Sequence, residues 1–228
     1  MSISVDEIAV ADPADAWMRA GFTVDSDAVC RVGGVRIRLA GTGAAPAATS
    51  DTGAAPAATS DTGAGIVGWS LRGLPPDGSP DSIDGIPTTR SERAFATPAE
   101  HPNGVTAIDH VVLMSPHLDR TVAALAAVGA QPRRQRDAAL GGQPIRQLFF
   151  RFGEVILEVV GSPDAATDTP STLWGITYVV DDIDATAAFL GDRTTPVKDA
   201  VQPGRRITTL RHRDLGMSVP TAMISASR

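Results

Sequence analysis

Two ionisable side chains interrupt apolar runs in the second half of the chain. His110 lies within "IDHVVLM" and Glu158 within "EVILEVV". Successive side chains of a β-strand point to opposite faces, so each residue would share its face with apolar neighbours. A buried carboxylate without a partner is destabilising by several kcal/mol or shifts its pKa. Glu158 therefore requires a metal ion, His110 or an arginine close by.

Three interpretations of the His110–Glu158 pair stay open. An imidazole nitrogen and a carboxylate oxygen are both ligands of divalent metals, so the pair could hold a metal ion. In a metal-free pocket the same groups could act as general acid and base, since each would tune the proton affinity of the other. In the third interpretation they hydrogen-bond to each other or to an arginine and have a structural role alone.

Arginines and aromatic side chains offer further contacts to a ligand. Arg133, Arg134 and Arg136 fall in one segment, and Arg205 and Arg206 follow the turn "QPG". A guanidinium fork in a cleft could hold a carboxylate or a phosphate, although such arginines are more often exposed, solubilising charges. Two pairs of aromatic residues could stack on a flat ligand, but core packing is their default role. They are Trp174 with Tyr178 on one predicted strand and Phe149 with Phe152 on another.

The elements that must position these residues form a repeat. "IDHVVLMSPHLDRTVAALAAVGA" predicts a short strand, a turn and a helix, and "LWGITYVVDDIDATAAFLG" follows the same plan. His110 and Gly175 each lie nine positions before an aspartate at the start of the predicted helix. Three further predicted strands follow each helix. Residues 107–161 and 173–226 are therefore two copies of a strand–helix–strand–strand–strand unit, and such units bury their apolar faces against one another.

Residues 1–73 are predicted to be a degenerate version of the same pair. "VDEIAVADPADAWMRAGFTV" parallels the strand and helix, and "GGVRIRLAG" parallels "GEVILEVVG". "GIVGWSLRGL" resembles another first strand, but no convincing helix follows it. Within this part, residues 43–62 are a low-complexity insertion in which "GAAPAATSDT" occurs twice in tandem; small and polar residues of this kind cannot bury a core. Turn-forming residues dominate 74–106, which we interpret as a linker.

Three segments together resemble the vicinal oxygen chelate (VOC) superfamily, which includes glyoxalases, bleomycin-resistance proteins and extradiol dioxygenases. They are "IDHVVL", "FGEVILEVVG" and "GITYVVDDIDA". The resemblance covers residues 107–226 well and 4–72 faintly. It implies an α+β fold of paired βαβββ modules that form a curved mixed sheet around a cleft. In this superfamily a metal typically lies in the cleft, bound by residues on the first and last strands of each module.

The resemblance places His110 and Glu158 at the first-strand and last-strand ligand positions of the first module. The second module departs from the pattern. Gly175 stands in the place of a histidine, Thr221 corresponds to Glu158, and Met223 is its neighbour on the same face. Neither of the last two is a normal ligand of a hard divalent cation, and two protein ligands hold zinc or iron only weakly.

A third metal ligand could come from the N-terminal copy. Glu7 corresponds to His110, because "VDEI" parallels "IDHV". Arg38 then corresponds to Glu158, and a guanidinium at that position would repel a cation. A salt bridge between Arg38 and one of the acids is the simpler expectation.

Composition limits the classes of binding partner and the compartment that we expect. The net charge of −6 and the isoelectric point near 5.1 argue against nucleic-acid binding, because no broad basic face is available. Cys30 is the single cysteine, so no internal disulfide forms and a reducing, cytoplasmic compartment is expected. No apolar stretch is long enough for a signal peptide or a membrane span, so no membrane partner is expected. The modules can pair within one chain or between chains, which leaves a homodimer open.

Two functional hypotheses follow. In the first, a divalent metal (zinc, iron, manganese or nickel) at His110 and Glu158 supports lyase, isomerase or dioxygenase chemistry of the glyoxalase type. In the second, a metal-free member binds an apolar or aromatic small molecule in the cleft without catalysis, as resistance-type proteins of the superfamily do. Gly175, Thr221 and Met223 favour the second hypothesis, and the His–Glu pair favours the first.

Overall fold

The computed structural model describes residues 3–41, 64–75 and 80–227, which form two β-sheets and three α-helices. The insertion predicted at 43–62 lies outside the described residues. The α+β class and the paired modules that the sequence predicts are confirmed. Within the described ranges, none of the helices is long and apolar enough to cross a membrane.

The N-terminal unit contains a six-stranded sheet. Its elements are β1 (Ser4–Val10), α1 (Ala14–Arg19), β2 (Val29–Val32), β3 (Val35–Leu39), β4 (Ile66–Arg72), β5 (Ser82–Ile83) and β6 (Ile86–Arg90). The strand order is β2-β3-β1-β4-β6-β5. β1 pairs in parallel with β3 and antiparallel with β4, and β4 pairs in parallel with β6. The described residues between β4 and β5 contain no helix.

The C-terminal unit contains an eight-stranded sheet. Its first module consists of β7 (Val105–Met114), α2 (Leu118–Ala127), β8 (Pro132–Leu140), β9 (Gln143–Phe152) and β10 (Val155–Gly161). Its second module consists of β11 (Thr172–Val180), α3 (Ile183–Leu190), β12 (Lys198–Asp199), β13 (Arg206–Thr209) and β14 (Thr221–Ser225). The strand order is β12-β13-β14-β11-β7-β10-β9-β8, so the two first strands meet antiparallel at the centre. Each first strand also pairs in parallel with the last strand of its own module.

Local sequence signals account for the helices of this unit. Asp182 precedes α3, and its carboxylate accepts the backbone N–H groups of Asp184 and Ala185 at 2.9 and 3.1 Å. These N–H groups have no partner within the helix, so the cap stabilises the first turn. His117 precedes α2, where its Nδ1 accepts the backbone N–H of Arg120 at 3.4 Å. His117 thus has a capping role in the structure.

The segment that the sequence assigns to a linker, residues 74–106, carries two strands of the first sheet. β5 and β6 are joined by the turn Asp84–Gly85, in which both residues have positive φ angles of 50° and 85°. An Asp-Gly pair is typical of the two-residue hairpin turn that requires this backbone. The strands are two and five residues long, so turn formers on both sides obscure their pattern. β7 begins at Val105, and the connection between the sheets is shorter than expected.

The two units share one hydrophobic core. Trp17 on α1 packs edge-on against Tyr178 of β11, with ring centroids 6.5 Å apart and an interplanar angle of 89°. Phe22 contacts both rings, at 5.0 and 5.1 Å between centroids. Asp12 joins the units on one side, because its carboxylate accepts the backbone N–H of Ser218 at 2.8 Å. The cluster of buried side chains is therefore continuous between the sheets.

Candidate functional site

A cavity of about 650 Å³ opens on the second sheet, against the module formed by β7 to β10. Its ionisable lining residues are His110, Glu158, Arg133, Arg134, Arg136 and Arg151. Its apolar lining includes Phe149, Ile156, Ile207 and Ile224. The volume lies in the range of small-molecule sites, which combine an apolar lining with a few convergent polar groups.

The structure brings His110 and Glu158 together in this cavity. β7 and β10 pair in parallel with His110 opposite Ile156 and Glu158 opposite Val112, so the two ionisable residues are diagonal neighbours on one face. His110 Nε2 lies 3.5 Å from Glu158 Oε2, which is long for a hydrogen bond. The side chains are 17% and 12% exposed, so both remain accessible to a ligand.

Asp109 is a site residue that strand alternation does not reveal. Regular alternation places it on the face opposite His110, but β7 contains a bulge: Thr177 pairs with His110, and Tyr178 pairs with Ile108. The extra residue breaks the alternation, and the Asp109 Oδ2 lies 2.7 Å from His110 Nδ1. Bulges commonly re-aim side chains next to functional sites. No local feature of "IDHVVL" marks the bulge.

Asp109 is also held by an arginine from the second module. Arg205 Nη1 donates to Asp109 Oδ1 at 2.5 Å, and Arg205 Nε donates to the Ser225 carbonyl at 2.7 Å. Burial acts to raise the pKa of Asp109, but the hydrogen bonds from His110 and Arg205 outweigh it and hold the pKa below its ordinary value. Because Asp109 is a carboxylate, the imidazole donates through Nδ1 and presents Nε2 towards Glu158.

Glu158 is oriented from its other side by an amide. Gln147 Nε2 donates to Glu158 Oε1, and Arg136 Nε donates to Gln147 Oε1 at 2.8 Å. The polar groups thus form a row across the sheet, in which every neighbouring pair except His110 and Glu158 is hydrogen-bonded: Arg205, Asp109, His110, Glu158, Gln147 and Arg136. A row of this kind fixes side-chain orientation and polarises each member.

The arginines predicted near the turn and on β8 have different environments. Arg133, Arg134 and Arg136 line the cavity, together with Arg151. Arg206 lies outside it and forms an exposed ion pair with Asp184, with contacts of 2.7 and 2.9 Å.

The aromatic residues also divide between cavity and core. Phe149 lines the cavity. Tyr178 is completely buried, and burial raises its pKa well above the ordinary value. Phe152 is buried and stacks on Trp69 with centroids 5.6 Å apart. Trp174 is 53% exposed and is not part of the cavity lining. Core packing therefore explains Tyr178 and Phe152.

The residues present do not fit a resident divalent metal. Thr221 is buried and donates its hydroxyl to the Val219 carbonyl at 2.9 Å, and Met223 is completely buried. A side chain at position 175 would place its first carbon 2.8 Å from the Pro220 carbonyl oxygen, so Gly175 is required by close backbone packing. The arginines of the cavity add positive potential, which disfavours a cation. The metal donors of the pair are thus limited to one imidazole and one carboxylate.

Glu7 does not supply the missing ligand. It lies on β1 of the first sheet, where Arg38 Nε and Nη2 donate to its two carboxylate oxygens at 2.9 Å each and Arg93 Nη2 donates at 2.9 Å. Among the described residues, no group of three His, Cys, Asp or Glu side chains is arranged to hold a metal ion. The structure therefore does not bring Glu7 to His110 and Glu158, and the salt bridge with Arg38 takes its place.

The structure resembles a triple mutant of 4-hydroxymandelate synthase from Streptomyces coelicolor. The TM-score is 0.64 and the identity 14%, over 100% of this chain and 94% of that chain. A methylmalonyl-CoA epimerase from Mycobacterium tuberculosis matches 55% of this chain and 91% of its own, with 17% identity and a TM-score of 0.43. A methylmalonyl-CoA epimerase from Streptomyces coelicolor matches 54% of this chain and 96% of its own, with 23% identity and a TM-score of 0.42. No protein-family model and no curated protein sequence matches the chain. The likeness to the synthase, a VOC superfamily member, shows that this chain has the VOC fold.

Proposed function

We propose that this chain binds a small organic molecule in the cavity of the second sheet. The observation that carries the proposal is the cavity itself, about 650 Å³ in volume, with an apolar lining beside the His110–Glu158 pair. Small-molecule sites have this character, with a few polar groups that set the orientation of the ligand. The VOC fold supports the proposal, because its second sheet supplies the face on which the cavity lies.

A cavity-filling variant tests the proposal. Ile207→Trp adds an indole at the cavity, and Met18→Trp adds the same group on α1, where Met18 is 51% exposed. A collection of aromatic and aliphatic fragments is screened by ligand-observed NMR against both variants and the original chain. We expect fragments that bind the original chain and Met18→Trp but not Ile207→Trp. Equal binding to the two variants, or no binding to the original chain, would overturn the proposal.

A second candidate function is proton transfer on the bound molecule. It is favoured by the contact between Asp109 Oδ2 and His110 Nδ1 at 2.7 Å, which leaves Nε2 available as a base. His110 Nε2 would take a proton from the ligand, the bonding electron pair would stay on the ligand, and Asp109 would stabilise the imidazolium. Glu158, with Oε2 3.5 Å from Nε2, would be the neighbouring acid or base.

Hydrogen exchange on the ligand tests this second function. Fragments from the NMR screen are incubated with the protein in D₂O, and the loss of their C–H signals is followed. We expect exchange with the original chain and none with His110→Gln, although His110→Gln still binds. Exchange at the same rate with His110→Gln would rule out His110 as the base, and no exchange with any bound fragment would leave binding as the function.

Metal-dependent lyase, isomerase or dioxygenase chemistry is less well supported, because the donor set consists of His110 and Glu158 alone. Metal analysis of protein purified without chelators separates it from the metal-free proposal. A stoichiometric ion that is lost in His110→Ala would support the metal-dependent enzyme. We expect no such ion under any loading condition.

A further inference from the structure

The four arginines that line the cavity have no carboxylate partner among the described residues. We call them the arginine wall: Arg133, Arg134, Arg136 and Arg151. Among the described residues, no Asp or Glu oxygen lies within 4.0 Å of these guanidiniums. Four other arginines of the unit are paired with aspartates: Arg120 with Asp84, Arg146 with Asp137, Arg205 with Asp109, and Arg206 with Asp184. Four guanidiniums without a carboxylate partner thus converge on one cavity.

The backbone of the edge strand β8 concentrates these charges. Pro132 pairs with Phe150 and Arg134 pairs with Phe149, so Arg133 is the extra residue of a bulge. The bulge breaks the alternation, and Arg133 and Arg134 line the cavity although they are adjacent in sequence. Arg134 also lies over the Phe149 ring, 5.9 Å from the centroid. These two guanidiniums are therefore directed at the same space as the ring.

The opposite end of the cavity lining has a different charge. Glu158 carries the one carboxylate of the lining, and it faces His110. Arg136 is the member of the wall nearest to this end in the hydrogen-bonded row, because it donates to Gln147, which donates to Glu158. An anionic group would be repelled by Glu158 and attracted by Arg133, Arg134 and Arg151. The charge distribution of the lining therefore sets the orientation of a charged ligand in the cavity.

We infer that the ligand of this cavity is an amphipathic organic anion. Its carboxylate or phosphate monoester group binds the arginine wall, and its apolar body packs against Phe149, Ile156 and Ile224 towards His110. Guanidiniums bind both kinds of anion through paired hydrogen bonds, and an apolar body accounts for the rest of the lining. The inference rests on the proposed function and adds the chemical class of the ligand.

Three probes of the same ring size test the inference: phenyl phosphate, benzoate and benzyl alcohol. Binding is measured by NMR titration at low and at moderate salt. We expect at least one anion to bind about tenfold more tightly than benzyl alcohol, since a charge-assisted pair contributes more than a neutral contact. Tighter phenyl phosphate would identify a phosphate monoester, and tighter benzoate would identify a carboxylic acid.

Arginine variants locate the anion. Arg133→Gln with Arg134→Gln should weaken the anions at least about tenfold and leave benzyl alcohol unchanged. Arg146→Gln with Arg206→Gln is the matched control, because it also removes two charges, from ion pairs with the exposed Asp137 and Asp184 outside the cavity. Anion affinities that fall equally in the Arg146/Arg206 control and in the Arg133/Arg134 variant would overturn the inference.

The probes also separate this inference from the proposed function. If benzyl alcohol binds as tightly as both anions and does not bind to Ile207→Trp, the cavity binds small molecules but the inferred ligand class, an organic anion, is wrong. If none of the probes or fragments binds the original chain, both the proposed function and the inference are overturned.

Discussion

Asp109 determines the tautomer and the orientation of the His110 imidazole in the cavity. Without a partner at Nδ1 an imidazole can rotate and exchange tautomers, and either nitrogen can carry the proton. The contacts of Asp109 with His110 Nδ1 and with Arg205 remove that freedom. One carboxylate therefore couples the first module to the second at the site.

Asp109→Asn tests this coupling through stability and its pH dependence. The folded-state pKa of Asp109 is below the ordinary value of 3.8, so the pair adds stability above that value and loses it as the pH falls through the folded-state pKa. We expect the variant to lower the free energy of unfolding at neutral pH by about 2–4 kcal/mol, because Arg205 is left buried without its partner. The difference between variant and original should shrink below about pH 4. Urea unfolding at both pH values measures it.

Asp137→Asn is the matched control for that experiment. Asp137 is paired with Arg146 through a contact of 2.7 Å, but its side chain is 65% exposed. Exposed pairs contribute little, so we expect almost no change at either pH. A loss in Asp109→Asn that is no larger than in the control would contradict the coupling.

Among single residues, strand periodicity predicted that His110 and Glu158 each lie among apolar neighbours, and the resemblance to the VOC superfamily placed them in one cleft. It did not predict Asp109, since alternation assumes a regular strand and β7 is bulged at that residue. The sequence favoured exposed charges at Arg133, Arg134 and Arg136; the first two are exposed and the third is half-buried, and all three also line the cavity. Which arginines converge depends on strand pairing, and residue types alone do not reveal it.

The strands and turns that hold the units together are shorter than the strands that form the site. β5 and β6 close the edge of the first sheet, and their turn carries Asp84 to the second unit. The Asp84 carboxylate accepts hydrogen bonds from Arg120 Nε and the Ser171 hydroxyl, each at 2.5 Å. Gly85 follows with a φ of 85°, and a Cβ there would lie 2.3 Å from Pro170 Cβ. The turn therefore fits against the second unit with no space for a larger residue.

Asp84→Ala tests the contribution of this turn. It removes the partner of Arg120 while Arg120 remains partly buried, and we expect the free energy of unfolding to fall by about 3 kcal/mol. Hydrogen exchange should also show faster opening of β5 and β6 than of β7. Asp81→Ala is the control, because Asp81 is exposed and its backbone carbonyl, which the variant keeps, accepts the N–H of Thr88 at 2.9 Å. Equal losses in the two variants would show that the turn contributes no specific contact.

Among the elements, the sequence predicts best the strands and helices whose apolar pattern continues over many residues. β7 and α2, and β11 and α3, follow from apolar spacing and from acidic residues at the helix starts. β5 and β6 were missed inside the presumed linker, because a strand of two residues has no periodicity to read. β6 is held in the sheet by its parallel pairing with β4, and β5 pairs with β6.

The whole molecule behaves as one packing unit, although it contains two sheets. Buried side chains of α1, β2 and β11 belong to a single cluster. Removing the N-terminal unit would expose Tyr178, which is completely buried in the intact chain. The N-terminal unit thus packs against the sheet that carries the cavity.

Trp17→Ala tests whether the two sheets unfold together. Trp17 is completely buried between the units and donates from Nε1 to Asp12 Oδ2 at 3.0 Å, so its loss leaves a large void and an unpaired carboxylate oxygen. We expect the free energy of unfolding to fall by about 3–5 kcal/mol.

Because the core is continuous, amides of β1 and β7 should lose protection in the same transition when hydrogen exchange is followed through a urea series. Met18→Ala, at the exposed neighbouring position, should leave both sheets unchanged. Full protection of β7 under conditions where β1 has already opened would mean that the second sheet, and the cavity on it, is stable without the first.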